Sequence, residues 1–266
     1  MSSACCRIRP LDRRFYTRRH QDVKEHDAHN YDTQYDDAHC HFVRYPSAGN
    51  QPERDATDNH KALIFGATGT VGCEVVNQAL AQGYGVTAFA RTPSKLEVQH
   101  ANLTVLQGDV LDPAAVERAV RGQDVVLCVL GAGAKGQVRS EGTKQIIQAM
   151  GKRGVRRLIC QSTLGVGDSR SNLTFFWKYI MFGLLLRNAY ADHVQQEAYV
   201  KASQLDWTIV RPAALTDGER TGIYQHGFAG TDKSPTLKIS RADVADFLLK
   251  QIVDDQYLCA TPGLSY

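Results

Sequence analysis

No stretch of these 266 residues stays apolar for the ~20 positions that a bilayer-spanning helix requires. The nearest approach, NLTFFWKYIMFGLLLRNAY (172–190), is interrupted by Lys178 and closed by Arg187, so no membrane span is expected. The seven cysteines are odd in number and show no CxxC spacing, which argues against a zinc ribbon and a disulfide framework alike. Most sit in apolar runs, where a thiol behaves as a small hydrophobe, and the expected setting is a reducing cytoplasm. One-sided charge is missing too. The formal net charge is only +3, and nothing after the first twenty residues gathers a basic stripe, so nucleic acid is not an expected partner. The arginine-rich opening CRIRPLDRRFYTRRH has no apolar core for secretion, and Asp12 with the acids after Gln21 spoils a transit-peptide pattern.

Residues 1–59 also lack periodicity. They interleave Arg, Asp and His without aliphatic clusters, and the chain up to His60 holds six of the nine histidines, the composition of a disordered extension. His26, His29, His39 and His41 could ligate a metal only on a folded scaffold, so no metal site is expected. With 43% apolar residues, the chain can bury the core of one large domain, read here as residues 60–266.

In that domain short apolar runs alternate with helical spacing. ALIF (62–65), GVTAFA (85–90), LTVL (103–106), DVVLCVL (124–130), RLICQS (157–162) and WTIV (207–210) are apolar throughout, as a parallel sheet covered on both faces demands. Between them, 71–82, 113–121, 140–153 and 189–203 carry helical periodicity. Asp112 before Pro113, and Ser240 with Asp243 three residues on, mark helix starts. The expected fold is α/β, a Rossmann-like doubly wound parallel sheet with helices on both faces, in a single domain behind the N-terminal extension.

The first strand runs into GATGTVG, with Gly66, Gly69 and Gly72 between strand and helix. Glycines there permit a tight turn, approach of backbone to a phosphate and close helix packing, the make-up of a pyrophosphate cradle; the plain alternative is an ordinary turn. After the second strand, FARTPSKL places Arg91 and Lys95 where an NAD site would carry a carboxylate. Two cations there favour the 2′-phosphate of NADPH, against the alternative of two solvated side chains. After the third strand Asp109 can accept from an adenine amino group with Val110 packing on the ring, or Asp109 can simply close the turn. After the fourth, LGAGAKG (130–136) offers Leu130 and Gly131 as the start of a rim beside the nicotinamide ribose.

These segments, together with CQST, ADHVQQEAYVKASQLDWTIVRPAALTDG and ISRADVADFLLKQIVDDQYL, resemble the atypical short-chain dehydrogenase/reductase family over 61–266. The likeness is to the branch of NADPH-dependent flavin reductase/biliverdin reductase B and NmrA-like proteins. It implies NADPH binding through Gly66, Thr68, Gly69, Thr70, Val71, Arg91 and Lys95, and hydride transfer to a bulky conjugated acceptor. The Tyr-x-x-x-Lys pair of ordinary short-chain dehydrogenases is absent: Tyr179, Tyr190 and Tyr199 are followed four residues on by Gly183, Val194 and Ser203. Carbonyl reduction and nucleotide-sugar epimerisation, which use that pair, are therefore disfavoured.

The branch has a serine at the end of the fifth strand, matched by Ser162, which either positions substrate or is only a turn residue. His193 matches a histidine of the relatives, and an imidazole titrating near neutrality could donate a proton, although a structural role is equally ordinary for a helix histidine. A further histidine of the branch is replaced by Ala213 and Ala214 in RPAALTDG, which argues against biliverdin as substrate. The aromatic stretch 172–190 is read first as core, then as the roof of a pocket, with a subunit contact as a further reading and membrane contact last. The expectation is an NADPH-dependent oxidoreductase acting on a small hydrophobic acceptor, flavin- or quinone-like, with an NmrA-like redox sensor as the alternative.

Overall fold

The apolar runs form strands and the amphipathic ones helices. A computed structural model describes residues 60–131, 137–232 and 234–266; the expected extension over 1–59, its histidines, and 132–136 of the glycine-rich rim lie outside the described residues. In chain order the elements are β1 (Lys61–Phe65), α1 (Thr70–Ala81), β2 (Gly85–Ala90), β3 (Leu103–Gln107), α2 (Pro113–Val120), β4 (Val125–Cys128), α3 (Val138–Arg153) and β5 (Arg157–Gln161). There follow α4 (Arg187–Lys201), β6 (Asp206–Pro212), β7 (Ala214–Thr216), β8 (Gln225–His226), β9 (Lys238–Ser240), α5 (Arg241–Lys250) and β10 (Gly263–Ser265).

The main sheet has the order β3-β2-β1-β4-β5-β6-β10-β8, parallel except where β8 runs antiparallel to β10. This is the expected doubly wound sheet. The strand order reverses between β1 and β4, and that switch point opens at the carboxyl ends, where ligands bind in this architecture. Because successive side chains alternate sides, β1 feeds two cores: Ala62 and Ile64 join α1 and α5 on one face, Leu63 and Phe65 join α2, α3 and α4 on the other. All four side chains are fully buried. β8 and β10, too short for a periodic signal, extend the sheet beyond β6, and β7 pairs with β9 apart from it.

Both expected caps form. Asp112 accepts from the Ala114 and Ala115 amides, and Ser240 accepts from the Asp243 amide. The aromatic stretch departs from the core reading. Phe176–Leu185 is a π-helix, whose wider i→i+5 winding turns successive side chains differently from an α-helix. Trp177 and Phe182 face inward, whereas Phe175, Phe176, Tyr179, Leu184 and Leu185 are exposed. The free cysteines Cys128 and Cys160 are buried side by side on β4 and β5, as the apolar-thiol reading expects.

The Ser240 cap also touches Asp243 Oδ2, and Asp243 in turn accepts from Thr221, Gly222 and Tyr266. Ser240→Ala removes the cap and is expected to lower the unfolding free energy by about 1 kcal/mol, measured by urea denaturation, with an unchanged m-value.

Candidate functional site

The turn after β1 is built by two steric requirements. Gly66 has φ +83°, and a Cβ there would lie 2.4 Å from the Val129 carbonyl oxygen beyond β4. A Cβ on Gly72 would lie 2.1 Å from the Gly66 carbonyl oxygen, so the first turn of α1 sits directly on the end of β1. The Gly69 amide closes the loop onto Gly66 O at 2.9 Å. Gly69 is the cap residue and supplies no side chain, and no acid stands in the first helical turn. The leading amides of α1 therefore have no side-chain acceptor and present the positive end of the helix dipole. Thr68 is half-buried, Gly69 and Thr70 are exposed at this mouth, and Val71 is buried beneath it.

One strand over, Arg91 follows β2 and Lys95 ends a short 3₁₀ turn, Pro93–Lys95. Both are exposed, and neither side chain makes an ion pair or hydrogen bond among the described residues. At the end of β3, Asp109 Oδ1 accepts from the Leu111 amide at 2.9 Å, which realises the turn reading. Val110 corrects the other half of that expectation. It is buried, and a Cβ on Gly142 of α3 would lie 2.8 Å from it, so Val110 packs beneath α3 instead of standing open to a ring.

Beyond β4, Leu130 is half-buried and Gly131 is exposed, with nothing within 4 Å of where its Cβ would stand. The Leu130 carbonyl accepts from Arg139 Nε at 3.2 Å. Arg139 is buried and paired with Asp192 of α4 at 3.2 Å, and Asp192 Oδ1 also accepts from the Ser140 amide at 2.9 Å. Asp192 thus caps α3 from another helix, a role with no local sequence signal.

Ser162 follows β5, its amide donating to Val210 O at 2.8 Å. Its hydroxyl is buried with no hydrogen bond of good geometry among the described residues, and the carboxylate it faces is Glu197. His193 and Glu197 lie four residues apart on one side of α4, so His193 and Ser162 reach the same side of the sheet's carboxyl end. His193 Nδ1 is likewise buried without a partner. Its titration corrects the expectation of a neutral-pH proton donor: burial first, and the Arg139 charge second, push its pKa down to about 3, so the ring is uncharged at physiological pH.

Beneath them Glu197 takes Arg211 in a two-pronged pair, Nε to Oε1 at 2.9 Å and Nη2 to Oε2 at 2.7 Å, while Arg211 Nη1 donates to Asp168. Burial by itself would raise the Glu197 carboxyl, but the Arg211 hydrogen bonds and charge hold it below the ordinary glutamate range. A shallow apolar recess, open to solvent, is lined by Thr163, the residue after Ser162, with Leu164, Leu173, Trp177, Phe182, Ala213, Ala214 and Leu237. Ala213 and Ala214 thus form wall where the related branch carries a histidine. Uncapped amides at α1 and free space over Gly131 fit a dinucleotide laid across the strand ends.

A family model described as NAD(P)H-binding matches residues 66–255. A UPF0659 protein of Saccharomyces cerevisiae is 28% identical over 207 residues, 73% of this chain and 87% of that protein. The crystal structure of the oxidoreductase ylbE of Lactococcus lactis superposes with a TM-score of 0.66 at 26% identity, over 77% of this chain and 90% of the other. ChuY, an anaerobillin reductase of Escherichia coli O157:H7, superposes with a TM-score of 0.65 at 26% identity, over 77% and 96%.

The neutral imidazole has a consequence for stability. With a folded pKa of about 3 against ~6.5 when exposed, the unfolded chain binds the extra proton first. Stability from this group is intact above pH ~6.5 and is lost as pH falls from there toward 3. His193→Asn is expected to flatten the acid limb of the stability curve by about 1.4 kcal/mol per pH unit, the slope of one proton, in urea titrations between pH 4 and 6.

Proposed function

The chain belongs to the NAD(P)H-binding family, among the atypical short-chain dehydrogenase/reductase oxidoreductases, and from that premise we propose that it is an NADPH-dependent reductase of a flat, apolar, conjugated acceptor. The observation that carries this reading is the apolar recess that starts at Thr163, next in the chain to Ser162, and is walled by Trp177, Phe182, Ala213 and Ala214. Aromatic and small apolar walls suit a planar acceptor.

A bound dihydronicotinamide would supply the hydride. The amides of Gly69, Thr70 and Val71 would hold the diphosphate, Arg91 and Lys95 the 2′-phosphate, Asp109 would keep the turn beside the adenosine, and Leu130 and Gly131 would border the nicotinamide ribose. The Ser162 hydroxyl, which lies against the Glu197 carboxylate, donates to the ring or to the acceptor. His193, held neutral, contributes a hydrogen bond at Nδ1, and the proton that completes reduction comes from solvent. None of the eleven tyrosines is followed by lysine four residues on, so the pair that protonates an alcohol-forming carbonyl in ordinary short-chain dehydrogenases is missing. That absence equally suits an NADP(H) sensor, and turnover distinguishes the two.

Reduction of FMN, quinones and redox dyes is followed by loss of NADPH absorbance. The reductase reading expects multiple turnovers with at least one planar acceptor, and Ser162→Ala is expected to lower kcat about tenfold or more with little change in NADPH affinity. Tight NADPH binding without turnover on the whole panel would establish the sensor reading instead. For Arg91→Ala, calorimetry is expected to show a loss of about tenfold or more in NADPH affinity and less than about twofold for NADH. Equal losses would overturn the choice of cofactor.

A further inference from the structure

The π-helix Phe176–Leu185 carries its apolar side chains on two sides. Trp177 and Phe182 turn inward and line the recess. On the other side Phe175 and Phe176, then Tyr179 and Ile180, then Leu184 and Leu185 stand in solvent, Phe175 at 73%, Leu184 at 71% and Leu185 at 65% exposure. These pairs recur at intervals of four and five residues, the winding of a π-helix, so they stack along one outer stripe. A continuous stripe of this kind is not ordinary surface scatter.

The charges around the stripe identify what covers it. From Ser169 to Ala191 there is no Asp or Glu, and the basic residues are Arg170, Lys178 and Arg187. Arg187 is exposed and Lys178 half-buried, and neither makes an ion pair among the described residues, whereas Arg170 donates to the Tyr190 hydroxyl at 3.1 Å and lies over its ring, on the side of Phe182. A second copy seated by a two-fold axis would bring Lys178 and Arg187 against their own mates, and the flanking acids Asp168 and Asp192 are already paired with Arg211 and Arg139, so self-association is disfavoured by charge. An anionic surface with an apolar interior answers both features. Phe, Leu and aromatic hydroxyl groups beside Lys and Arg are the composition of helices that lie in the bilayer interface, and no helix among the described residues is long and apolar enough to cross it.

We propose that the outer stripe of the π-helix, with Lys178 and Arg187, docks the protein peripherally onto anionic lipid bilayers. Docking places the recess, which lies under the same helix, one helix width from the bilayer, where an apolar acceptor is most concentrated. The inference is independent of turnover, because it concerns the outer face of the helix and not its lining.

The test is flotation of the full-length chain with vesicles. Binding to vesicles of phosphatidylcholine with about one third phosphatidylglycerol is expected to exceed binding to phosphatidylcholine alone by about tenfold or more, and to fall in 0.5 M salt. Phe176→Ser/Leu184→Ser/Leu185→Ser changes exposed side chains only. It is expected to abolish flotation while leaving NADPH affinity, read by calorimetry, as in the parent chain. Lys178→Glu/Arg187→Glu is expected to remove the preference for anionic lipid. Three results would overturn the proposal: no flotation with either vesicle; flotation undiminished in the triple-serine variant, which would assign it to the arginine-rich first residues; or a concentration-dependent dimer in analytical ultracentrifugation that this variant abolishes.

Discussion

The site depends on one close approach, that of the first turn of α1 to the end of β1. Gly72 lies against the Gly66 carbonyl and Gly66 against Val129 O, at separations that any Cβ would violate. The contact aims the start of α1 along the switch point between β1 and β4. It is held there from below, because Val71, Val75, Val76, Ala79 and Leu80 bury one stripe of α1 in the core shared with α5. The helix end is thus fixed by packing and left polar by sequence, since glycine occupies the cap position and no acid follows. An anion arriving there meets donors that are already oriented, and the fold has met the ordering cost in advance.

A second constraint lies in the layer under the site. Two buried arginines, Arg139 and Arg211, are neutralised by two carboxylates of one helix, Asp192 and Glu197 of α4. Charges this deep persist only when paired and hydrogen-bonded, and removing one partner of such a pair costs about 3–5 kcal/mol. Both pairs cross between elements, Arg139 from the start of α3 and Arg211 from the end of β6. α4 is therefore clamped at two points around His193, and the Arg139 charge that fixes α3 is the same one that helps keep His193 neutral. Structural and chemical roles here share the same atoms.

What could be read from sequence was what local chemistry determines. Strands without alternation, the Asp112 and Ser240 caps and the glycines of the first turn each act within a few residues, and the structure shows them as expected. What could not be read was decided across the fold. Val110 stood at a position open to a ring by strand logic, but the missing side chain of Gly142, thirty-two residues on, lets α3 settle over it. Asp192 caps a helix that begins more than fifty residues earlier. The aromatic stretch looked like core because hydrophobicity alone does not distinguish α from π winding, and the winding is what turns half of its apolar residues outward.

The balance of charge at the site bears on how an acceptor is selected. Among the described residues, the ionised groups beside Ser162 and His193 are paired inside the protein: Glu197 and Asp168 with Arg211, Asp192 with Arg139. The recess wall adds alanine, leucine and aromatic surface and no free charge. A ligand entering it finds no ion to match, so discrimination in the proposed reaction rests on shape, on stacking against Trp177 and Phe182, and on the single hydroxyl of Ser162. An apolar wall separates compounds differing by a methylene only weakly, by about 1–3 kcal/mol, whereas flatness is enforced at full steric cost. In the proposed reaction a site of this make-up would accept a class of planar molecules in preference to one compound, leaving selectivity to the cofactor half, where charge and backbone geometry are more specific.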